Sequence, residues 1–240
     1  MKHISKYFFS LLLILCVTEL QAQKKDSIVI PPKMERYGIR VGADLSKLAR
    51  TLYDSDYQGL ELVADYRLTK KYFLAGELGN ENKTTDDDQL NFTTKGTYFK
   101  VGFDYNAHEN WLDLENVISI GLRYGVSTFS QQLNSYAVYN PNPYFGEIPD
   151  TQAGQNFGGL SAQWIEVVAG IKTRVFDNFF VGFSLRANRL VTNQKPSGFD
   201  NLYIPGFNKT YDGDFGVGFN YTVTYFIPIY KKKTEVKKKL

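Results

Sequence analysis

The chain has 240 residues, one cysteine, two histidines and a net charge of only +3. A single cysteine excludes a small fold held together by disulfides. Much of the positive excess lies in the C-terminal stretch "YKKKTEVKKKL". The rest of the chain therefore offers no basic surface of the kind that binds nucleic acid.

The N-terminal 22 residues have the pattern of a secretory signal peptide. Lys2 and Lys6 precede an apolar run over 7–17, and cleavage after Ala22 fits the small-residue rule. The run is shorter than the ~18–20 residues that a membrane-spanning helix needs, which disfavours the alternative of a membrane anchor. Cys16 lies inside this segment, so the mature chain has no thiol.

Eight later segments alternate between apolar and polar residues with a period of two, which predicts β-strands. No helical period competes with this alternation over a comparable length. In chain order the predicted strands are 37–48, 57–68, 72–82, 96–106, 114–128, 161–175, 179–190 and 214–229.

The two faces of these strands differ in chemistry. One parity is apolar, as in Leu60, Leu62 and Ala64, whereas the other carries glycines and charged residues. Seven of the charged residues are acidic and seven are basic, and a closed interior requires such a balance because unpaired buried charges are costly. They are Arg40, Asp44, Glu61, Asp65, Arg67, Glu77, Lys100, Asp104, Glu115, Arg123, Glu166, Lys172, Arg174 and Arg186.

The connections between the strands are alternately short and long, as in outer-membrane barrels with short periplasmic turns and long extracellular loops. The short links are 69–71, 107–113 and 176–178, and the long links are 49–56, 83–95, 129–160 and 191–213. Aromatic residues gather at the predicted periplasmic ends, which is typical of a membrane girdle. They are Tyr37, Tyr66, Tyr72, Tyr105, Trp111, Phe179, Tyr225 and Tyr230.

The alternative is a soluble periplasmic barrel with the apolar parity inside, holding a ligand. An eight-stranded barrel is just wide enough for its own side chains or one small ligand. The many Phe and Tyr residues of the apolar parity would overfill it, which favours the membrane arrangement. Trp164 falls on the polar parity, where it either caps the interior or marks a shift of register.

We therefore predict an all-β fold, an eight-stranded antiparallel up-and-down transmembrane β-barrel with a polar lumen. The expected organisation is a signal peptide (1–22), a periplasmic N-terminal segment (23–36), an outer-membrane barrel (37–230) and a basic periplasmic tail (231–240). The expected location is the outer membrane, with its lipid as the first partner.

Several stretches also resemble an uncharacterised family of small outer-membrane β-barrels from Gram-negative bacteria of the Bacteroidota type. They include "GADLSKLARTLYDSDYQGLELVADYRLTKKYFLAGELG", "NFTTKGTYFKVGFDYN", "IGLRYGVSTFSQQLNSY", "NLYIPGFNKTYDG" and "FGVGFNYTVTYFIPIYKK". The resemblance covers nearly the whole mature chain. It implies an outer-membrane barrel and brings no activity, cofactor or site residue with it.

The sequence offers little for catalysis or metal binding. His108 lies in a predicted periplasmic turn, so that Ser130, Ser135 and Ser161 lack a base at the outer rim. The acidic loop 86–88 lacks the spacing of a calcium-binding loop. We therefore expect a protein that is not an enzyme and has no cofactor and no metal.

Two long loops are candidates for binding a partner, because loops on rigid scaffolds often carry function and tyrosine is a frequent anchor. The apolar loop 201–213 could instead fold over the barrel mouth as a lid. The favoured role is a structural or accessory barrel that binds another outer-membrane or extracellular protein; the alternative is a narrow channel for ions or small solutes. The candidate binding residues are Tyr136, Tyr139, Tyr144, Phe145, Tyr203, Phe207 and Tyr211.

Overall fold

The strand pattern of the sequence is realised as one long β-meander in the computed structural model. The structure describes residues 34–87, 89–108, 115–137, 144, 151–198, 200–211 and 214–233. Its elements are β1 (Met34–Asp44), α1 (Leu45–Tyr53), β2 (Tyr57–Arg67), β3 (Tyr72–Asp87), β4 (Leu90–Asn106), β5 (Val117–Tyr136), β6 (Thr151–Phe176), β7 (Phe179–Asn193), β8 (Tyr203–Ile204), β9 (Asn208–Lys209) and β10 (Phe215–Lys233).

Eight of these strands close into a barrel in the ring order β1-β10-β7-β6-β5-β4-β3-β2, and β8 pairs with β9 as a separate two-stranded sheet. Sequential strands pair antiparallel, for example Leu62 with Leu78 between β2 and β3. The predicted eight-stranded up-and-down barrel is thereby confirmed. Arg36–Tyr230 form one unit, and the other unit, Met1–Glu35 with Lys231–Leu240, falls largely outside the described residues.

The apolar parity of the strands faces outward. Leu62, Ile120 and Leu185 each expose more than half of their surface, and they belong to a broad ring of exposed aliphatic and aromatic residues. The charged parity faces inward and is buried, as Glu61 and Glu166 show. A soluble barrel would have the reverse arrangement, so that this outer surface has the character of one that meets lipid.

The barrel has two different ends. The turn end carries the β2–β3, β4–β5 and β6–β7 connections, and three aromatic pairs lie there. The ring centroids of Tyr37 and Tyr230 are 5.2 Å apart, those of Phe179 and Tyr225 5.0 Å, and those of Tyr72 and Tyr105 5.4 Å. The loop end carries α1, the β3–β4 and β5–β6 hairpins, and the long β7–β10 connection.

The first strand ends at Asp44, four residues earlier than predicted, because a helix begins at the next residue. The Asp44 carboxylate accepts hydrogen bonds from the backbone N–H of Ser46 at 2.8 Å and from its hydroxyl at 2.7 Å, which caps the helix N-terminus. Leu45, Leu48 and Leu52 then recur at helical spacing. The predicted strand 37–48 and loop 49–56 are therefore wrong over 45–53, which form α1.

Two predicted loops are also largely strand. β3 and β4 pair up to Asp87 and Leu90, so that the predicted loop 83–95 is a tight hairpin. β5 and β6 continue their pairing up to Tyr136 and Thr151, with irregular register after Phe129. The outward residues of these extensions, such as Lys95, are polar. The extensions therefore lie beyond the apolar ring. In the described part of the chain, no helix has the length and apolar character required to cross a bilayer.

Candidate functional site

The middle of the lumen is occupied by buried charged side chains, which we call the charge layer. Each barrel strand from β2 to β7 contributes at least one of them, because alternate side chains of a strand point into the lumen. All of its members are buried. The charge layer consists of Glu61, Glu77, Lys100, Asp104, Arg123, Glu166 and Arg186.

Arg186 and Lys100 connect the three glutamates of the charge layer. Arg186 Nη1 donates to Glu77 at 2.7 Å and to Glu166 at 2.9 Å, and its Nη2 donates to Glu77 at 3.0 Å. Lys100 Nζ lies 3.1 Å from Glu166 and 3.8 Å from Glu61. Each buried carboxylate therefore has a cationic partner, as burial of charge requires.

Arg123 extends the charge layer toward the β4 wall. Its Nη2 donates to both carboxylate oxygens of Asp104, at 2.8 and 2.9 Å, and its Nε donates to Glu77 at 3.4 Å. The Arg123–Asp104 pair lies beside Gly121, where a Cβ would overlap the Asp104 carboxylate. Gly121 on the inward face thus makes room for a charged pair.

A second set of ion pairs lies toward the turn end. Arg40 Nε donates to Asp65 at 2.6 Å, and Lys172 bonds the other oxygen of the same carboxylate. The Arg40 guanidinium also lies 4.8 and 5.3 Å from the ring centroids of Phe73 and Phe180. Such cation–π contacts compensate part of the hydration that a buried guanidinium loses.

The remaining predicted lumen residues lie at the two ends of the barrel. At the turn end, Glu115 bonds Arg36 and lies 3.8 Å from Arg174, and Arg67 donates to the Arg36 carbonyl at 3.0 Å. At the loop end, Asp44 accepts a hydrogen bond from Asn220. The structure thus places all fourteen predicted lumen residues in contacts along the barrel interior, in layers rather than in one site.

A small cavity remains between the charge layer and the turn end. Its volume is about 50 Å³, and Asp65, Lys172, Asp104 and Arg123 are among the residues that line it. A space of this size accommodates a few water molecules. It is too small for a bound organic ligand, since ligand pockets measure about 300–1,000 Å³.

The loop end of the lumen is filled by a part of the chain outside the barrel strands. Residues 201–211 form a small hairpin, built on β8 and β9, that enters the barrel; we call it the plug. Ile204 and Phe207 are completely buried in it, and the Phe207 ring meets the Trp164 indole edge-on at 5.8 Å. These residues share an apolar cluster with Tyr98, Phe129, Leu160, Ala162 and Leu190.

The surroundings of Trp164 explain why this apolar residue lies on the polar parity of its strand. It is completely buried in the lumen, and its Nε1 donates to Glu166 at 2.7 Å. The indole lies against Gly125, where a Cβ would overlap it, and the β6–β7 register shifts between Gln163 and Trp164. Both sequence alternatives, capping of the lumen and a register shift, therefore apply to Trp164.

Glu81 of β3 holds the plug in place. Its Oε2 accepts hydrogen bonds from the Tyr203 hydroxyl at 2.7 Å and from the Gly206 N–H at 3.2 Å, and Lys47 of α1 bonds its Oε1. Burial, together with the nearby Glu81 carboxylate, raises the pKa of Tyr203 well above its ordinary value, so that the phenol remains a donor. Gly206 has φ +81° and lies against the Tyr98 ring, which leaves no space for a Cβ.

Glu81 and Lys47 are not among the predicted lumen residues. Glu81 follows Glu77 by four residues and shares its inward parity, so that the strand pattern contained the signal. Lys47 falls inside the predicted strand 37–48. Only the helical spacing of the leucines around it, read together with Asp44 as an N-cap, could have indicated α1.

The candidate partner-binding residues fall into three groups. Tyr203 and Phe207 are 6% and 0% exposed in the plug, so a partner could reach them only if the plug left the lumen. Tyr136, Tyr144 and Tyr211 are exposed at the loop end. Tyr139 and Phe145 lie outside the described residues.

The described residues bring together no arrangement suited to catalysis or metal binding. His108 follows β4 at the turn end, whereas Ser130, Ser135 and Ser161 lie in the loop-end half of β5 and β6. In the described ranges, no three His, Cys, Asp or Glu residues lie close enough to hold a metal ion. Of the acidic loop, Asp86 accepts a hydrogen bond from Asn91 and Asp88 lies outside the described residues.

Comparison with solved structures finds similar proteins at low sequence identity. Ail, the attachment invasion locus protein of Yersinia pestis, is 12% identical with a TM-score of 0.39; the match covers 80% of this chain and 97% of Ail. Ail in complex with the heparin analogue sucrose octasulfate matches with 12% identity, a TM-score of 0.37 and the same coverage.

Acinetobacter baumannii CarO is 11% identical with a TM-score of 0.36, over 80% of this chain and 98% of CarO. A comparison with curated proteins gave no match. A family match extends over residues 4–232, nearly the whole sequence. The chain belongs to the family described as Domain of unknown function (DUF6048).

Proposed function

We propose that this protein is a closed, non-enzymatic barrel of the outer membrane that serves a structural or accessory role. The observation that carries the proposal is the filled lumen: the charge layer and the plug occupy it one above the other. A barrel without an open interior acts through its outer surfaces. The Bacteroidota-type source implied by the sequence resemblance stays a prediction.

The location in the outer membrane is supported by the ring of exposed apolar residues. Single exposed apolar residues are normal on soluble proteins, whereas a continuous apolar surface marks contact with lipid or protein. The ring surrounds the barrel, and aromatic pairs bound it at the turn end. The absence of a base near Ser130, Ser135 and Ser161 in the described residues supports a role other than catalysis.

The tip of the β5–β6 hairpin is the best-supported place for a partner. β5 and β6 are the longest strands, with 20 and 26 residues. The connection between them therefore lies far from the charge layer along both strands. Tyr144 is 96% exposed there. The other candidate loop uses its apolar residues for the plug, which leaves the hairpin tip as the preferred partner site.

Cell fractionation combined with heat-modifiability on a gel tests the location. We expect the protein in the outer-membrane fraction, with different migration before and after boiling. Recovery of the protein in the soluble periplasm with unchanged migration contradicts the proposal.

Planar-bilayer recording tests whether the lumen is closed. We expect no conductance steps from the purified protein, nor from a variant in which a Gly-Ser linker replaces 201–211, because the charge layer still fills the lumen. Regular single-channel steps from the wild-type protein would instead support the narrow channel for ions or small solutes.

Deletion of residues 138–150 tests the partner site. We expect the deleted protein to keep its heat-modifiability and to lose a partner that is crosslinked to the wild type in cells. The matched control is the linker variant of 201–211, which should keep the partner. An unchanged crosslinking pattern in the 138–150 deletion sinks the assignment to this hairpin tip.

A further inference from the structure

α1 occupies a position in the barrel wall that a strand would otherwise fill. β1 and β2 pair only from Ile39–Tyr66 to Ala43–Leu62, whereas β2 continues to Tyr57. The edge of β2 beyond Leu62 therefore faces α1 instead of β1. The Thr51 hydroxyl accepts a hydrogen bond from the Gly59 N–H at 3.0 Å and lies 3.4 Å from the Gly59 carbonyl.

The polar face of α1 points into the lumen. Lys47 bonds the Glu81 carboxylate that also holds the plug. The Arg50 guanidinium lies 4.1 Å from the ring centroid of buried Tyr57, and its Nε donates to Asp54 at 3.0 Å. The polar side of this helix is thus the side that packs against the protein.

The apolar face of α1 points away from the protein. Leu45, Leu48 and Leu52 lie on one side, because residues three, four and seven apart share a helix face. Leu52 is 88% exposed, the adjoining Tyr53 78% and Leu48 37%, whereas Leu45 at the start of the helix is half-buried. A helix on a soluble protein turns its apolar face toward the core, so α1 is inverted in the same sense as the barrel strands.

On the β10 side, the neighbouring wall has the same apolar character, whereas on the other side β2 turns Leu60 and Gln58 outward. In the ring order β1 lies between β10 and β2, and α1 follows β1 directly. The backbone N–H of Tyr221 in β10 bonds the Asp44 carboxylate, which fixes the height at which α1 begins. Beyond that point toward the loop end, β10 turns Phe219, Val217 and Phe215 outward, each more than half exposed.

We propose that α1 is a lipid-facing segment of the barrel wall, with Leu45, Leu48, Leu52 and Tyr53 in contact with the acyl chains and headgroup boundary of the outer leaflet. The inference rests on the proposed location in the outer membrane. β10 and α1 meet at the end of β1, where Tyr221 bonds Asp44, and both turn apolar residues outward, so that lipid is an occupant that suits both surfaces. Amphipathic helices in membrane interfaces bury their apolar face in this way.

Site-specific fluorescence quenching tests the proposal. The nitrobenzoxadiazole dye is attached to Leu52→Cys in a Cys16→Ser background, and the protein is folded into phosphatidylcholine vesicles that contain doxyl-labelled acyl chains. Leu62→Cys reports a position in the apolar ring, and Ser197→Cys reports an exposed loop position. Heat-modifiability confirms that each labelled variant is folded, and Leu48→Cys repeats the measurement on the same face of α1.

We expect the doxyl chains to quench the dye at position 52 about as strongly as at position 62, and soluble iodide to quench only the dye at position 197. Quenching by iodide and not by doxyl at positions 52 and 48 overturns the proposal. Protection of these positions from both quenchers also overturns it, because protein would then cover the face. A dye at position 62 that doxyl fails to quench contradicts the membrane location itself, which separates the two failures.

Discussion

The two halves of the lumen are filled by different means. In the middle, the charge layer is built only from barrel strands, and its cohesion comes from ion pairs such as Arg186–Glu77. At the loop end, the filling comes from a loop and a helix, and Phe207 and Ile204 bury apolar surface against Trp164. The first half is part of the barrel wall, whereas the second is a separate segment docked into it.

This difference separates what holds the barrel together from what closes its mouth. A buried charge that loses its partner cannot regain water, so that the charge layer should tolerate little change. The plug can leave the lumen without breaking a hydrogen bond between two barrel strands. It would lose its bonds to barrel side chains, from Tyr203 and Gly206 to Glu81 and from Asn188 to the Phe207 carbonyl. Substitutions in the two halves should therefore differ in size.

Glu77→Gln should have the largest effect of the substitutions considered. It removes the negative charge that pairs with Arg186, Arg123 and Lys100, all of which remain buried. Breaking one partner of a buried ion pair typically costs about 3–5 kcal/mol. We expect a decrease of that order in the free energy of unfolding, measured by urea titration in phospholipid vesicles.

The control for Glu77→Gln is Lys195→Gln, at an ion pair with Asp200 in which both side chains are more than half exposed. Exposed ion pairs contribute little to stability, so the urea midpoint should not change. Equal midpoints for the two variants would show that the charge layer does not determine the stability of the barrel.

Gly125→Ala probes the boundary between the two halves. The added Cβ would overlap the Trp164 indole, which contacts both Glu166 and Phe207. Overpacking of a buried site costs about 1–3 kcal/mol, and we expect a loss of about 2 kcal/mol in the same urea titration. Gly76→Ala is the matched control, since its nearest atom would be the Lys100 carbonyl oxygen at 3.9 Å. If both alanine variants are as stable as the wild type, Trp164 is not held tightly by this wall.

The two halves also differ in how well the sequence predicts them. The charge layer follows from strand parity alone, so that residues as far apart as Glu77 and Arg186 could be assigned to one interior. The apolar ring follows from the same alternation. Local periodicity determines the face of each residue, and the closure of the barrel brings these faces together.

The plug and α1 could not be predicted in the same way. The sequence allows two roles for the apolar loop 201–213, a lid over the barrel mouth and a partner site. The choice depends on Glu81, Trp164 and Tyr98, which lie on three other strands. Contacts between distant parts of the chain produce no periodic pattern in the sequence. The helical pattern of α1 spans only nine residues, which is too short to distinguish it from the end of the preceding strand.

Tyr203→Phe should have the smallest effect of the three, and it tests the polar anchor of the plug. The variant loses the hydrogen bond to Glu81 but keeps the Gly206 and Lys47 contacts of that carboxylate. A hydrogen bond to a charged group contributes about 1.5–3 kcal/mol, and we expect the low end, about 1.5 kcal/mol, in urea titrations at pH 8.

The effect of Tyr203→Phe should also depend on pH. The pKa of Tyr203 is raised well above its ordinary value of 10.0 in the folded protein. A group with a raised folded pKa stabilises the protein fully below its unfolded pKa, and this stabilisation is lost as the pH rises toward the folded pKa. The difference between wild type and variant should therefore be constant from pH 8 to about pH 10 and shrink above it. A difference that stays the same at higher pH would mean that folding does not raise the pKa of Tyr203. Equal stabilities of wild type and variant at pH 8 would mean that the plug does not depend on this hydrogen bond.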